Sequence, residues 1–260
     1  MSDDGFNRLK DCRHGRMLYN INDQYVGRSF ELYGEFSEGE TQLFAQIVRP
    51  GDLVIEVGAN IGSHTVWFAR RTQPGGGVLA FEPQRLAFQV LCANVALNSL
   101  PNAILHQKAC GEAEGTITVP MLDPTKSNNF GGLSLSDTSG RGGELVEVVR
   151  IDDLGIGGCR LLKVDVEGME LSVLKGASEL IHRAKPVLYV ENDRPHLSDA
   201  LIRYIDSLGY ECFWHLPPLF NPDNFFRNAE NVFGRIVSKN MICLPKGIGV
   251  AGAEAIPVPG

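Results

Sequence analysis

Apolar runs of strand length alternate with stretches of helical periodicity over most of the chain. The predicted strands cover residues 53–57, 78–82, 103–108, 161–166, 186–191 and 210–215. Between them, apolar residues recur at the three-and-four spacing of a helix face over 63–71, 86–97, 170–181 and 198–208. Strands that alternate with helices in this way predict βαβ crossovers, and therefore a doubly wound α/β domain with a mostly parallel sheet.

Three parts of the chain do not follow this alternation. Residues 1–50 precede the first strand and include a helical pattern at 38–48, so they are predicted to form a helical cap or lid. Residues 111–150 contain two strand-like runs, 116–120 and 144–150, and a last strand is expected around 241–244. Residues 247–260 are small or proline, and we expect a disordered tail after a main domain at 51–246.

Composition narrows the classes of function. The formal net charge of -7 disfavours broad nucleic-acid binding, which requires a basic surface. No apolar run approaches the roughly 20 residues of a membrane helix, and the polar start at 1–16 does not resemble a secretory signal. The six cysteines include no CxxC pair, which disfavours zinc binding and thioredoxin-like chemistry. We expect a protein of the reducing cytoplasm.

The first predicted strand runs directly into a glycine turn, E-V-G-A-N-I-G at 56–62. Glycine at such a turn lets the backbone approach a ligand, and open α/β sheets bind ligands at this end of their strands. Gly58 and Gly62 are spaced G-x-x-x-G, so the third glycine of a dinucleotide-binding turn is missing. Glu56 suits a cationic amino group, such as that of S-adenosylmethionine, better than a pyrophosphate. An NAD(P)-dependent oxidoreductase is therefore the disfavoured alternative.

A carboxylate also follows the second predicted strand. Glu82 lies about 20 residues beyond the glycine turn, where an acidic side chain can accept both hydroxyls of a ribose. This feature serves a dinucleotide and an adenosyl cofactor equally, so it does not separate the two.

The most distinctive stretch is K-V-D-V-E-G-M-E at 163–170. An apolar strand delivers Asp165 and Glu167 to its carboxyl end, and period-two alternation predicts that both point to the same side. Such a pair can bind a metal, orient an acceptor or hold a sulfonium cofactor. Glu170 also fits a simpler interpretation, an acidic residue in the first turn of a helix.

Taken together, these motifs resemble the FkbM family of methyltransferases. The matching elements are E-V-G-A-N-I-G at 56–62, F-E-P at 81–83, V-D-V-E-G-M-E at 164–170 and V-L-K-G-A at 173–177, and the resemblance spans roughly 52–192. It implies the class I methyltransferase fold, a Rossmann-like, mostly parallel seven-stranded sheet whose last strand is antiparallel. It also implies S-adenosylmethionine as cofactor and O-methylation of sugars, polyketide-type natural products or other hydroxyl-bearing acceptors.

The resemblance also implies roles for individual residues. The amino-acid part of the cofactor is expected near Glu56, Gly58, Asn60 and Gly62, the ribose at Glu82, the adenine beside Ala109 in the turn 108–110, and the methyl group near Asp165.

Methyl transfer to a hydroxyl requires an aligned acceptor and benefits from a general base. The candidates at strand ends are Asp165, Glu167 and Glu191, with His64 and His196 as weaker ones. The loops at 127–132 and 221–226 mix amides with aromatics and are expected to face the acceptor, whereas His215 and Trp214 fit a plain strand better.

The fixed spacing of a metal site is absent, so no metal is predicted. N-methyl transfer and a non-catalytic binding protein remain alternatives, although the Asn/Asp-Pro-Pro-aromatic signature of amide and nucleobase methylation is missing after the fourth strand. The expected partner is a small hydroxyl-bearing molecule, with no nucleic acid and no membrane. The sequence leaves the oligomeric state open.

Overall fold

A seven-stranded sheet organises the protein, in a computed structural model that describes residues 5–132, 142–250 and 254–260. Elements are numbered in chain order. From one edge to the other, the strands are β11 (Tyr210–His215), β12 (Asn240–Pro245), β10 (Val187–Glu191), β9 (Leu161–Val164), β3 (Leu53–Val57), β4 (Gly77–Phe81) and β5 (Ala103–His106).

The strand directions confirm the predicted sheet. The pairs β3–β4, β4–β5, β3–β9 and β9–β10 are parallel, whereas β12 is antiparallel to both of its neighbours. The chain moves outward from β3 through β4 to β5, then resumes at β9 on the other side of β3. The boundary between β3 and β9 is therefore the switch point, where doubly wound sheets bind their ligands.

Helices cover both faces of this sheet, as the continuous apolar strands predict. One core contains Val54 of β3 and side chains from the helices that precede β5, and the other contains Ile55, the next residue, and side chains from the helices that follow β9. The first layer is α2 (Glu38–Ile47), α3 (Ser63–Thr72) and α4 (Arg85–Leu97); the second is α5 (Glu170–Lys175), α6 (Ser178–Ala184) and α7 (Pro195–Ser207). Among the described residues, no helix has the length and apolar character needed to cross a membrane.

Residues 109–149 add a small second sheet at one end of the first. It has the order β6 (Ala109–Cys110), β8 (Gly143–Val149) and β7 (Gly115–Pro120), with β7 and β8 antiparallel. The two predicted strand-like runs are thus confirmed within one residue at each end. Part of the segment between them, 133–141, lies outside the described residues.

The N-terminal region was predicted to be helical, but it contains strands as well as helices. It begins with a hairpin of β1 (Asn7–Cys12) and β2 (Gly15–Asn20), followed by α1 (Val26–Tyr33) and the predicted α2. Residues 247–250 and 254–260 form no helix or strand, and the backbone N–H of Ile256 donates to the carbonyl of Cys212. The division into cap, main domain and tail stays a prediction.

Two of the differences between the predicted and the observed element boundaries have a local reason. Strand β9 ends at Val164 instead of 166, because Glu167 and Gly168 take positive φ angles of 57° and 104° and turn the chain. The predicted helix at 170–181 is split into α5 and α6 at Gly176. The carbonyl of Gly176 accepts the N–H of Asp152 instead of an N–H of the next helical turn, and a Cβ at Gly176 would lie 1.9 Å from the carbonyl oxygen of Gly111.

Candidate functional site

A cavity of about 380 Å³ opens at the carboxyl ends of the central strands, at the switch point. Its floor comes from the turns that follow β3, β4, β9 and β10. Its roof comes from the N-terminal region, through Tyr25 and Phe36, and from the segment between β11 and β12, through Leu219 and Ile236. The predicted cofactor turn and the predicted catalytic carboxylates thus border one space.

The glycine turn is held tightly against the end of β9. Gly58 has φ 83°, and a Cβ at this position would lie 1.7 Å from the backbone oxygen of Asp165. The N–H groups of Gly58 and Ala59 both donate to the carbonyl of Phe81. Only glycine allows this approach of two backbones, so the residue fixes the spacing between the cofactor turn and Asp165.

Glu82 is tied to the same turn by backbone hydrogen bonds. Its two carboxylate oxygens accept from the N–H of Asn60 and of Gln84, each at 2.8 Å. Burial raises the pKa of Glu82 to about 7, although the two N–H donors lower it. Asn60 lies at φ 50°, and its side-chain Oδ1 is buried without a hydrogen-bond partner among the described residues. A buried acceptor without a partner at a cavity fits a ligand that carries hydrogen-bond donors.

Glu56 lies at the end of β3, nearly fully buried, and also lines the cavity. Thr65 of α3 donates its hydroxyl to Glu56 Oε2 at 2.6 Å. Burial raises the pKa of Glu56 to about 7, while the charge of Lys163 and the Thr65 hydrogen bond lower it. A cation that enters the cavity would favour the charged carboxylate.

The three predicted catalytic residues meet at the carboxyl ends of β9 and β10. Asp165, Glu167 and Glu191 each offer one oxygen, and these oxygens all lie within 4.8 Å of one another. All three side chains line the cavity. Carboxylate oxygens at this spacing can share a proton or a cation, and that no metal is needed stays a prediction.

Arg194 partly neutralises this cluster. Its Nη2 donates to Glu167 Oε2 at 2.6 Å, and its Nη1 lies 4.0 Å from Glu191 Oε2. Burial raises the pKa of Glu167 to about 7 against the lowering effect of Arg194. Burial and the neighbouring carboxylates, Asp165 first, raise the pKa of Glu191 to about 11. Glu191 therefore holds a proton at neutral pH and can donate a hydrogen bond.

Two of the predicted cofactor residues are not part of the cavity lining. Gly62 is the N-cap residue of α3 with φ 86°, and a Cβ there would lie 2.6 Å from Leu91 of α4, so this glycine serves the packing of the turn. Ala109 is buried in β6, where it pairs with Val148 in the small sheet. The cavity wall on that side is formed by 129–132 and Val119 instead.

Of the histidines considered as weaker candidates, the structure places one at the cavity and two away from it. His64 is buried at the cavity, and its Nε2, which has no hydrogen-bond partner among the described residues, lies 3.8 Å from Glu40 Oε2. His196 is exposed on α7, and His215 bonds Tyr189 through Nδ1; neither lines the cavity. Glu170 accepts the N–H of Gly168 in the first turn of α5, as the simpler interpretation predicts.

The loops expected to face the acceptor also differ from each other. Residues 129–132 of the first loop line the cavity, whereas 221–226 do not. The second segment instead packs on the N-terminal region, where the buried carboxylate of Glu35 accepts from Asn221 Nδ2 and from the N–H of Phe225, each at 2.8 Å. Residues around this segment, Leu219 and 236–240, take its place at the cavity.

Three of the cavity side chains that the sequence did not predict are of particular interest. Lys163 and Glu40 are charged yet buried, and Phe36 forms part of the roof. The signal for Lys163 was a lysine inside an apolar strand, and that for Glu40 was the capping pattern Ser37-x-x-Glu40. The Ser37 hydroxyl donates to Glu40 Oε1 at 2.7 Å. The signal for Phe36 was not distinguishable from an ordinary core aromatic.

The doubly wound sheet, with one antiparallel strand and a cavity at its switch point, is the fold of class I methyltransferases. Comparison with known proteins gives the family. The Methyltransferase FkbM domain matches residues 56–212, more than half of the chain. The chain therefore belongs to the FkbM methyltransferase family, and its cofactor is S-adenosylmethionine.

Two curated relatives support this assignment. Methyltransferase sdnD of Sordaria araneosa is 31% identical over 160 residues, which are 48% of this chain and 60% of that protein. The 31-O-demethyl-FK506 methyltransferase FkbM of Streptomyces tacrolimicus is 32% identical over 204 residues, 66% of this chain and 78% of that protein. The chain thus spans less than two thirds of the first relative's length.

Among solved structures, a Methyltransferase FkbM from Methylobacillus flagellatus KT is similar with a TM-score of 0.49 and 22% identity. The match covers 85% of this chain and 55% of that chain.

Proposed function

We propose that this protein transfers the methyl group of S-adenosylmethionine to a hydroxyl oxygen of a small acceptor of the sugar or natural-product type. The observation that carries the proposal is the cluster of Asp165, Glu167 and Glu191, whose carboxylates border the same cavity as the cofactor turn. The name of the Streptomyces tacrolimicus relative, a 31-O-demethyl-FK506 methyltransferase, supports an acceptor of this kind.

The residues present fit the cofactor at its two polar ends. Glu56, Gly58 and Asn60 are proposed to surround the amino-acid part, because a buried carboxylate and an unpaired amide oxygen suit an ammonium group. Glu82 is proposed to hold the ribose, because its backbone N–H donors fix a carboxylate that lines the cavity. Gly62 would act on the turn itself rather than on the ligand, and the role of Ala109 at the adenine is not supported by the lining.

When bound, S-adenosylmethionine supplies a methyl carbon already activated by the sulfonium. The protein then has to align an acceptor oxygen and accept its proton. We assign the proton to the carboxylate of Asp165, which is the most exposed of the three and is fixed by Lys163 at 3.0 Å. The O–C bond forms as the S–C bond breaks, the electron pair stays on sulfur, and the proton moves from the acceptor oxygen to Asp165.

The other two acids would orient the acceptor. Glu191, which holds its proton at neutral pH, can donate to an acceptor oxygen. Glu167 is fixed by Arg194 beside it, so it restrains the position of the cluster. A neutral donor next to a carboxylate base is the arrangement expected for two acids that share one site.

The direct test is methyl transfer from methyl-labelled S-adenosylmethionine to a panel of hydroxyl compounds, including 31-O-demethyl-FK506 and free and glycosidic sugars. We expect an O-methyl product, lost in Asp165→Asn while S-adenosylhomocysteine still binds. An N-methyl product from matched amines would support the alternative class. A folded protein that binds no S-adenosylhomocysteine would overturn the proposal.

The net charge of -7 supports a small-molecule acceptor over a nucleic acid, and the scattered cysteines support a cytoplasmic location. Label transferred to RNA or DNA in the same assay would contradict the first of these.

A further inference from the structure

Lys163 is the only buried lysine or arginine among the described residues, at 2% exposure. It lies in β9, one of the two strands at the switch point, and its side chain lines the cavity. Its Nζ donates to Asp165 Oδ2 at 3.0 Å. A buried ammonium is unfavourable unless opposite charges surround it. The position of Lys163 therefore depends on acidic side chains close to it.

Those partners come from three elements. In the parallel register, Lys163 of β9 is paired with Glu56 of β3, which places both side chains on the same face of the sheet. Glu40 of α2 approaches from the helix layer above. The positive charge of Lys163 lowers the pKa values of both Glu40 and Glu56, opposing the effect of burial. One cation thus compensates several buried acids.

Lys163 is not itself a proton acceptor. Burial alone would lower its pKa, but the charges of Asp165, Glu56 and Glu40 raise it above its usual value. The amine therefore stays protonated across the physiological range, and its effect has to act through the carboxylates beside it.

We propose that Lys163 is a positioning residue of the cofactor site, which fixes the Asp165 carboxylate and supplies the counter-charge that lets Glu56 meet the cofactor's amino group as a carboxylate. The proposal rests on the role proposed above for Glu56.

The groups around Glu56 determine what the loss of Lys163 does. The Thr65 hydroxyl from α3 and Lys163 from β9 favour the charged carboxylate, whereas Asp165 after β9 and Glu40 of α2 disfavour it. Without Lys163, the two negative neighbours and burial remain, so the pKa of Glu56 rises above its value of about 7. At pH 7 the side chain is then largely neutral, and at pH 9 it is charged again.

Calorimetric titration separates this effect from a general loss of structure. S-adenosylhomocysteine carries the amino-acid part that Glu56 is proposed to contact, and 5′-methylthioadenosine lacks it. If the pKa of Glu56 rises by one unit, Lys163→Met should bind S-adenosylhomocysteine about fivefold more weakly than the wild type at pH 7. At pH 9 its affinity should be almost that of the wild type at the same pH. Binding of 5′-methylthioadenosine should not change at either pH.

Two variants serve as controls. Lys163→Arg keeps the charge and should bind S-adenosylhomocysteine like the wild type. Lys175→Met makes the same substitution at an exposed ion pair with Glu112 and should have no effect. Because Lys163→Met leaves buried acids uncompensated, it can fail to fold. The effect of Lys163→Met is then measured in a background that lacks the Glu56 carboxyl group. If Lys163 acts through Glu56, the variants Glu56→Gln and Lys163→Met/Glu56→Gln should bind S-adenosylhomocysteine equally.

Each outcome decides the inference. It is overturned if Lys163→Met matches the wild type at both pH values, if it loses both ligands equally at both, or if the double variant binds more weakly than Glu56→Gln. Failure of the proposed function has a different signature, because the folded wild type would then not bind S-adenosylhomocysteine at all.

Discussion

The side-chain amide of Asn94 pairs with the backbone of Leu18 as a neighbouring β-strand would. The N–H of Leu18 donates to Asn94 Oδ1 at 2.6 Å, and Asn94 Nδ2 donates to the carbonyl of Leu18 at 3.0 Å. The same Nδ2 also donates to the carbonyl of Ile61, at 2.8 Å, in the cofactor turn. One fully buried amide of α4 therefore joins the N-terminal hairpin to the site.

Replacement of Asn94 by alanine should destabilise the protein by about 2–4 kcal/mol, because it leaves the buried carbonyl of Ile61 and the half-buried N–H and carbonyl of Leu18 without this partner. Asn98, one turn later, bonds the backbone of Arg16 in the same manner but near solvent. Asn98→Ala should therefore lose only about 1 kcal/mol, since water replaces the amide. Urea unfolding of both variants measures the difference, and equal losses would contradict the role given to Asn94.

The hydrophobic pattern predicted the sheet well because its central strands are buried on both faces. Strands β3 and β11 have the predicted bounds, and helices α3 and α4 differ by one residue at one end. The hairpin of β1 and β2 was missed because β1 (NRLKDC) carries few apolar residues, and β2 is held on its other edge by Asn94 and Asn98 of α4, which are far away in sequence. Such contacts leave no periodic signal in residues 7–20.

The site was predicted to the extent that its residues lie at strand ends. Glu56 lies at the carboxyl end of β3, and Glu82 and Asp165 follow β4 and β9, so the topology alone brings them together. Lys163 and Glu40 could not be assigned in this way, because a charged residue in an apolar run is buried only if its partners arrive from other elements. Gly62 and Ala109 were expected at the ligand because they belong to the same motif or turn, yet each packs against protein.

Gly58 and Gly75 provide a matched pair of substitutions. Both have φ near 85°, but a Cβ on Gly58 would collide with the Asp165 carbonyl, whereas Gly75 has open space around it. Gly75→Ala should destabilise by about 1–2 kcal/mol, the conformational penalty alone. Gly58→Ala should destabilise by at least about 3 kcal/mol and weaken S-adenosylhomocysteine binding. Thermal and urea unfolding measure this pair, and similar losses would show that the approach of the two backbones is not needed.

Glu82 should make the unliganded protein less stable as pH rises. Its pKa is about 7 in the folded state and about 4.5 when unfolded, so the folded state binds the proton more tightly. The stabilising contribution is complete below pH 4.5 and is lost as pH rises through 7. Relative to Glu82→Gln, the wild type should lose about 3 kcal/mol of unfolding free energy between pH 4.5 and pH 8. Urea unfolding at each pH measures the difference in unfolding free energy between the wild type and Glu82→Gln. A difference that does not change between pH 4.5 and pH 8 would contradict this account.

No metal is expected to be required, even though three carboxylate oxygens lie within 4.8 Å. A proton on Glu191 and the guanidinium of Arg194 already reduce the repulsion among them. Dialysis against EDTA should therefore leave the rate of methyl transfer unchanged. A loss of rate that Mg²⁺ or Mn²⁺ restores, together with cation binding that disappears in Asp165→Asn, would show that the cluster needs an ion.

The roles proposed for Asp165 and Glu191 predict unequal effects of replacing a carboxyl by an amide. Asp165→Asn removes the group that accepts the proton, so kcat should fall by about 10²–10⁴. Glu191→Gln exchanges one neutral donor for another, because Glu191 is already protonated at neutral pH, and kcat should fall by less than about tenfold. Single-turnover rates at saturating S-adenosylmethionine, with an acceptor identified by the panel, make the comparison. A larger loss in Glu191→Gln than in Asp165→Asn would reverse the assignment and make Glu191 the base. Equal S-adenosylhomocysteine affinities in the two variants would confirm that the difference lies in the transfer step and not in cofactor binding.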